Sequence, residues 1–221
     1  MTVENVKNNL LRIRAKIAHY TPNIIAVTKY YSQDALVDAY NAGLRDFAES
    51  RVGDAIPKIE SLPEEIKSQS RFHYIGHLQS NKVDKVVRYF DCIQSVDSLK
   101  IATKISESAK KMGKIQEVLL QVNISEEAQK FGFSVQELED SFNSMMKLEN
   151  LKIAGLMCMA PFGASDDVLD SVFMRAKQIK DNLNHKFNTD LQELSMGMSN
   201  DYERAVASGA TMIRLGRILF E

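Results

Sequence analysis

Two periodicities trade places along this chain. Residues 1–19 carry Val6, Leu10, Ile13 and Ile17 at helical spacing, Tyr20-Thr21-Pro22-Asn23 punctuates, and Ile24-Ile25-Ala26-Val27-Thr28 reads as a first buried strand. Helices are then expected over 33–41, 51–59, 81–89, 97–112 with Asp97 as the cap, 135–148, 166–183 and 201–207. Strands are expected between them over 44–48, 72–75, 92–94, 118–122, 153–157, 193–195 and 212–214. Eight strands in regular strand-helix order favour a parallel sheet, and eight is the number that closes. The expectation is an α/β chain forming a single (β/α)8 TIM barrel with an extra N-terminal helix, one domain over 1–221. An open doubly wound sheet is the alternative, but it wants a Gly-rich turn after its first strand, and Lys29-Tyr30-Tyr31-Ser32 is not one.

Composition narrows the partners. The 221 residues are 44% hydrophobic and 26% charged with a formal charge of -1, an ordinary globular balance without the basic field that concentrates nucleic acid. Cys92 and Cys158 lie far apart in apolar surroundings, which fits reduced core thiols rather than a redox pair. No apolar stretch approaches the ~18 residues of a membrane span, so a cytoplasmic protein without a removed leader is expected. No exposed apolar stripe calls for an interface. The methionines Met145, Met146, Met157 and Met159 read as core filling.

Candidate chemistry begins at Lys29, the charge that ends the first strand. A desolvated amine there would be available to attack a carbonyl; the alternative is a lysine that laps its stem over the strand end and keeps its charge in water. If the barrel closes, catalytic and binding groups gather at the C-terminal ends of the strands, and phosphate is commonly held after strands seven and eight. Those loops read Leu194-Ser195-Met196-Gly197-Met198-Ser199-Asn200-Asp201 and Arg214-Leu215-Gly216-Arg217. Gly197 and Gly216 let backbone N–H groups approach an anion, Ser199 adds a hydroxyl, and a helix start near Asp201 adds its positive end; the plainer reading is a helix cap and a turn. An amine and an anion cradle on one rim suggest a phosphorylated carbonyl compound. His73 and His77 are four apart, but one falls in a strand and the other beyond Gly76, so no metal is placed there. His77 is the one placed to reach the pocket mouth. Tyr30 and Tyr31 read as packing residues that shield the loop.

Several stretches resemble the pyridoxal 5'-phosphate (PLP) homeostasis proteins of the YggS/PROSC type: Ala26-Val27-Thr28-Lys29, Phe72-His73-Tyr74-Ile75-Gly76-His77-Leu78-Gln79-Ser80-Asn81-Lys82, Gln121-Val122-Asn123, Lys130-Phe131-Gly132, Gly155-Leu156-Met157 and 194–201. That family is similar to the barrel domain of bacterial alanine racemase without its second domain. The resemblance implies a monomeric PLP carrier or regulator that balances B6 vitamers and amino-acid pools, has no established turnover, and has PLP-dependent apoenzymes as candidate recipients. It implies that Lys29 holds PLP as a Schiff base, that Met198, Ser199, Gly216 and Arg217 belong to the phosphate loops, and that Arg214 faces the pyridine nitrogen. Arginine donates and does not accept, so the ring nitrogen opposite it stays unprotonated and is a weaker electron sink.

The chain departs from the family pattern in places. Ala48-Glu49-Ser50-Arg51 stands where the family has Gly-Glu-Asn-Arg, and Ser50, shorter than asparagine, leaves a cofactor contact to water; Thr28 replaces the usual serine; a trimmed final helix is expected after Phe220. Two alternatives remain: a small PLP-dependent amino-acid racemase, which needs a second acid/base opposite the lysine, and a Schiff-base aldolase acting on a phosphorylated sugar.

Overall fold

The computed structural model describes residues 2–125 and 131–221. Lys130, part of one quoted motif, lies outside the described residues. The strands β1 (Asn23–Val27), β2 (Asp46–Glu49), β3 (Arg71–Tyr74), β4 (Cys92–Val96), β5 (Gln116–Gln121), β6 (Leu151–Met157), β7 (Glu193–Ser195) and β8 (Met212–Leu215) form a closed barrel in sequence order. All pairs are parallel, and β8 returns to β1 with Ile25 opposite Arg214. This is the expected (β/α)8 barrel.

The helices are α1 (Val3–Lys16), α2 (Gln33–Asn41), α3 (Val52–Glu60), α4 (Glu64–Gln69), α5 (Val83–Tyr89), α6 (Leu99–Lys111), α7 (Val135–Met146), α8 (Asp166–Phe187), α9 (Tyr202–Ala207) and α10 (Arg217–Phe220). Side-chain caps start several of them: Thr2, Ser32 and Ser98 each accept a backbone N–H three residues on, and Ser134 with Glu137 closes a capping box on α7. Ser98, not Asp97, caps α6, because the Asp97 carboxylate is drawn to His77 Nδ1 at 3.0 Å. The helix α4 was not expected, and the chain does end in a short helix, α10.

Alternation along the strands divides the core. Ile24, Ala26, Phe47, Phe72, Ile93 and Ile213 face the helices in one large apolar layer. Ile25, Val27, Ala48, Cys92, Leu119, Met157 and Met212 form a small separate cluster inside the barrel. That inner cluster is small because the interior also holds the buried polar side chains of His73, Gln94, Ser195 and Arg214. Both cysteines are buried free thiols, and burial pushes the Cys158 thiol up to about 12. Met145 and Met157 fill core as expected, whereas Met146 and Met159 are partly exposed.

Candidate functional site

Strand parity delivers Lys29 to the barrel mouth. Ile25 and Val27 point inward, so Lys29, two residues further on, does the same, while Thr28 turns outward. Thr28 is held there by donating to Glu49 Oε1 (2.7 Å), and Lys58 on α3 donates to that same oxygen (2.7 Å) and to the Thr28 carbonyl (2.8 Å). The backbone that carries Lys29 is therefore pinned from behind. The half-buried amine lies 4.9 Å from the centroid of the Tyr30 ring.

Lys29 opens into a cavity of about 500 Å³ at the C-terminal ends of the strands, a size typical of small-molecule sites. Met157, Met159, Pro161 and Phe162 make its apolar wall. Met198, Ser199, Arg214, Gly216 and Arg217 line it from the other side, so the structure brings these five together with Lys29. Ser50 and His77 are not among the lining residues. Ser50 packs its backbone against Gly76, where an added Cβ would lie 2.1 Å from the Ser50 carbonyl oxygen. His77 pairs with Asp97 and stacks on Phe131 with ring centroids 3.8 Å apart.

The two loops after β7 and β8 are built as donors. Gly197 has φ +90°, and an added Cβ would meet Ala205 Cβ at 2.6 Å, so only glycine makes this turn. Gly216 is not conformationally required; an added Cβ would make only ordinary contact, 3.5 Å from the Val27 carbonyl oxygen. Met198 N–H donates to Asp201 Oδ1, and Ser199 Oγ accepts from Ile218 N–H (3.4 Å), tying one loop to the other. Among the described residues no acceptor takes the N–H groups of Ser199, Asn200, Gly216 or Arg217. Gly216 and Arg217 open α10, Ser199 and Asn200 lie in the turn before α9, and all four border the cavity.

The charges agree with an anionic guest. Three cationic side chains, Lys29, Arg214 and Arg217, line the cavity against the two carboxylates Asp166 and Asp201. Burial raises the Asp201 carboxyl above its ordinary value, with the Met198 N–H and Arg214 pulling the other way. Arg214 is only 3% exposed, and burial draws it below its ordinary value while it remains the donor-only guanidinium. It donates to Ser195 Oγ (2.7 Å) and to the Cys158 carbonyl (2.9 Å). An amine, a guanidinium and four unpaired backbone donors around one half-apolar cavity fit a flat phosphorylated carbonyl compound such as PLP.

Tyr30 is 71% exposed, and Tyr31 packs on Phe220 and donates its hydroxyl to Glu221. Sequence reading missed the apolar wall at 159–164, which falls in a connection without periodicity, and the place of Asp166, the first residue of α8, beside the cavity. Among the described residues no group of three or more His, Cys, Asp or Glu side chains could hold a metal ion, and no helix is long and apolar enough to cross a membrane.

The family model described as "Alanine racemase, N-terminal domain" matches residues 1–221. The chain is 44% identical over 206 residues to a pyridoxal phosphate homeostasis protein of Synechocystis, covering 92% of this chain and 94% of that one. It is 31% identical over 231 residues to the protein of that name in Escherichia coli, covering 99% and 97%. Among solved structures it resembles PipY of Synechococcus elongatus without PLP at TM-score 0.92 and 35% identity, covering 98% of this chain and all (100%) of that one. PipY with PLP bound superposes at TM-score 0.88 with the same 35% identity, covering 98% and 100%. A Clostridium difficile alanine racemase shares the fold at TM-score 0.80 and 16% identity, with 99% of this chain spanning 57% of that one.

Proposed function

Since the chain belongs to the pyridoxal phosphate homeostasis proteins, we propose that it is a single PLP-binding barrel that holds PLP as a Schiff base on Lys29 and serves vitamin B6 and amino-acid homeostasis without catalytic turnover. The observation that carries this reading is the convergence of Lys29, Arg214 and the unpaired N–H groups of Ser199, Asn200, Gly216 and Arg217 on one cavity. When bound, PLP supplies an aldehyde for the amine and an electron-withdrawing ring. The protein's own part is to hold the amine at the strand end, to meet the phosphate with backbone donors and Ser199, and to aim Arg214 at the ring nitrogen. A donor-only partner keeps that nitrogen unprotonated and limits carbanion chemistry.

Two observations speak against the racemase alternative, which needs a second acid/base across from Lys29. The hydroxyl of Tyr31 is engaged by Glu221, and burial raises its pKa; Tyr30, at the cavity edge beside Lys29 and Arg51, is 71% exposed, in contact with water rather than held over the cavity floor. The two buried free thiols support a reducing, cytoplasmic setting. We read the working form as a monomer that binds PLP for release to PLP-dependent apoenzymes.

The test is the absorption spectrum of the protein mixed with PLP, before and after borohydride. Wild type should develop a band near ~420 nm that borohydride fixes covalently, and Lys29→Ala should not, as expected for a lysine-carbonyl adduct. A wild-type protein that stays colourless with PLP would overturn the reading. Alanine racemisation by the PLP-loaded wild type would move the weight to the racemase.

A further inference from the structure

Five side chains cross the barrel interior in a continuous hydrogen-bonded line. Arg214 on β8 donates to Ser195 Oγ on β7 (2.7 Å), Ser195 Oγ donates to Gln94 Oε1 on β4 (2.7 Å), Gln94 Nε2 meets His73 Nδ1 on β3 (3.0 Å), and His73 Nε2 meets Asp46 Oδ1 on β2 (2.8 Å). Ser195, Gln94 and His73 are all fully buried, at 0% exposure. The line runs from the cavity, which Arg214 lines, to a cleft at the opposite end of the barrel, which Asp46 lines.

Its direction is fixed by its ends. A guanidinium only donates, so Ser195 Oγ accepts from Arg214, and it gives its own proton to the Gln94 carbonyl oxygen. The Gln94 amide nitrogen then faces His73 Nδ1 and, at 3.9 Å, the thioether of Met212, which also only accepts. That leaves His73 Nδ1 bare and puts its proton on Nε2, pointed at a carboxylate that only accepts. Burial works to raise the Asp46 carboxyl, but its bonds to His73 and Asn23 and the nearby Arg71 bring it below the usual carboxylate range, so it stays an acceptor. Every proton in the line has one place to go.

We propose that Asp46, His73, Gln94 and Ser195 are positioning residues that lock the Arg214 guanidinium in the orientation it presents to the ring of the bound cofactor. This rests on the PLP reading for its ligand, but the line is a property of the protein alone. Polar side chains inside a barrel are costly unless each is satisfied, and this line satisfies its members while it holds one edge of the Arg214 guanidinium.

The test uses the full chain with Gln94→Met, which fills similar space without hydrogen bonds, and Gln94→Glu, which still accepts from Ser195. In the wild type without PLP, nitrogen NMR of the imidazoles should show His73 protonated on Nε2 and bare on Nδ1. In Gln94→Glu an acceptor faces Nδ1, so His73 should take a second proton between two carboxylates. PLP affinity should fall roughly tenfold in Gln94→Met, the scale of losing support for one charged hydrogen bond, and stay within about threefold of wild type in Gln94→Glu. Wild-type His73 protonated on Nδ1, or Gln94→Met binding PLP as tightly as wild type, would overturn the proposal. If wild type bound no PLP at all, the functional reading would fail, and the His73 tautomer in the free protein would still decide the line's direction.

Discussion

Asp201 sits in a place that disfavours its charge, and this makes it the most informative single residue for titration. Burial raises its carboxyl, so the folded state prefers the protonated form, and the stability it contributes is present below the ordinary carboxylate value near 4 and lost as pH rises through the raised value. Asp201→Asn keeps an oxygen for the Met198 N–H and removes the disfavoured charge. The variant should melt a few degrees above wild type at pH 7, with the gap closing below pH ~4, and should bind PLP more tightly because no carboxylate opposes the phosphate. Calorimetry at both pH values and a PLP titration check this; a variant less stable than wild type at pH 7 would show that the carboxylate is needed as a counter-charge for Arg214. Gly197→Ala should do the opposite of Asp201→Asn: with φ +90° and Ala205 Cβ at 2.6 Å from the added methyl, it should cost about 1–3 kcal/mol and weaken PLP binding, read by denaturant titration and the same binding curve. Lys29 and the cavity residues of the loops after β7 and β8 were legible because strand ends and glycine-marked loops announce themselves, whereas the wall at 159–164 carries no such mark. His73, Gln94 and Ser195 were not, because parallel strands are buried on both faces and their inward and outward positions carry no pattern of polarity. Ser50 and His77 belong to strand-end motifs as well, yet their side chains do not line the cavity.

At the scale of elements, the barrel order could be read almost completely, since short apolar or aromatic strand runs alternate with amphipathic helices. The exceptions have local causes. The helix α4 has a single buried apolar residue, Ile66, so it leaves no periodic trace. Asp97 has the right chemistry for a cap, but a contact twenty residues away claims it, and Ser98 takes the role. Of the surface helices, α3 bears most directly on the site, through Lys58. That ammonium (11% exposed) and the Glu49 carboxylate (1% exposed) form a buried pair that joins α3 to the ends of β1 and β2, directly behind Lys29. Glu49 Oε2 has no partner among the described residues, so the pair is only just compensated. Lys58→Met should therefore cost about 3–5 kcal/mol by stranding a buried carboxylate, and Lys58→Met with Glu49→Gln should recover much of that. Urea unfolding of both variants measures it; equal losses in the single and double variants would mean that the pair contributes through packing rather than charge.

On the scale of the whole molecule, the two ends of the barrel carry opposite electrostatic designs. The cavity end holds unpaired donors and surplus positive charge, whereas the opposite end neutralises itself: Glu117 on β5 pairs with both Arg71 on β3 and Lys152 on β6 (3.0 Å), and Asp46 on β2 faces His73 and Arg71. Burial works to raise Glu117, but Lys152 and Arg71 together hold it below the usual glutamate value. A depressed carboxyl contributes stability above its unfolded value and loses that contribution as pH falls through the folded one, so this floor stabilises the protein at neutral pH and weakens below pH ~4. Glu117→Gln should cost about 1 kcal/mol at pH 7, with wild type and variant converging as pH falls through the lowered Glu117 value. Added salt should narrow the difference only partly, because Lys152 is 65% exposed while the Glu117 side chain is 17% exposed. The proposed PLP site is at the other end, so PLP should stabilise wild type and Glu117→Gln by the same free energy at a given ligand excess, about 2.7 kcal/mol at a hundredfold over the dissociation constant, read from the melting shifts. Unequal shifts would mean that the two ends communicate through the barrel interior, and the Asp46-to-Arg214 line would be the path to test by repeating the comparison in Gln94→Met.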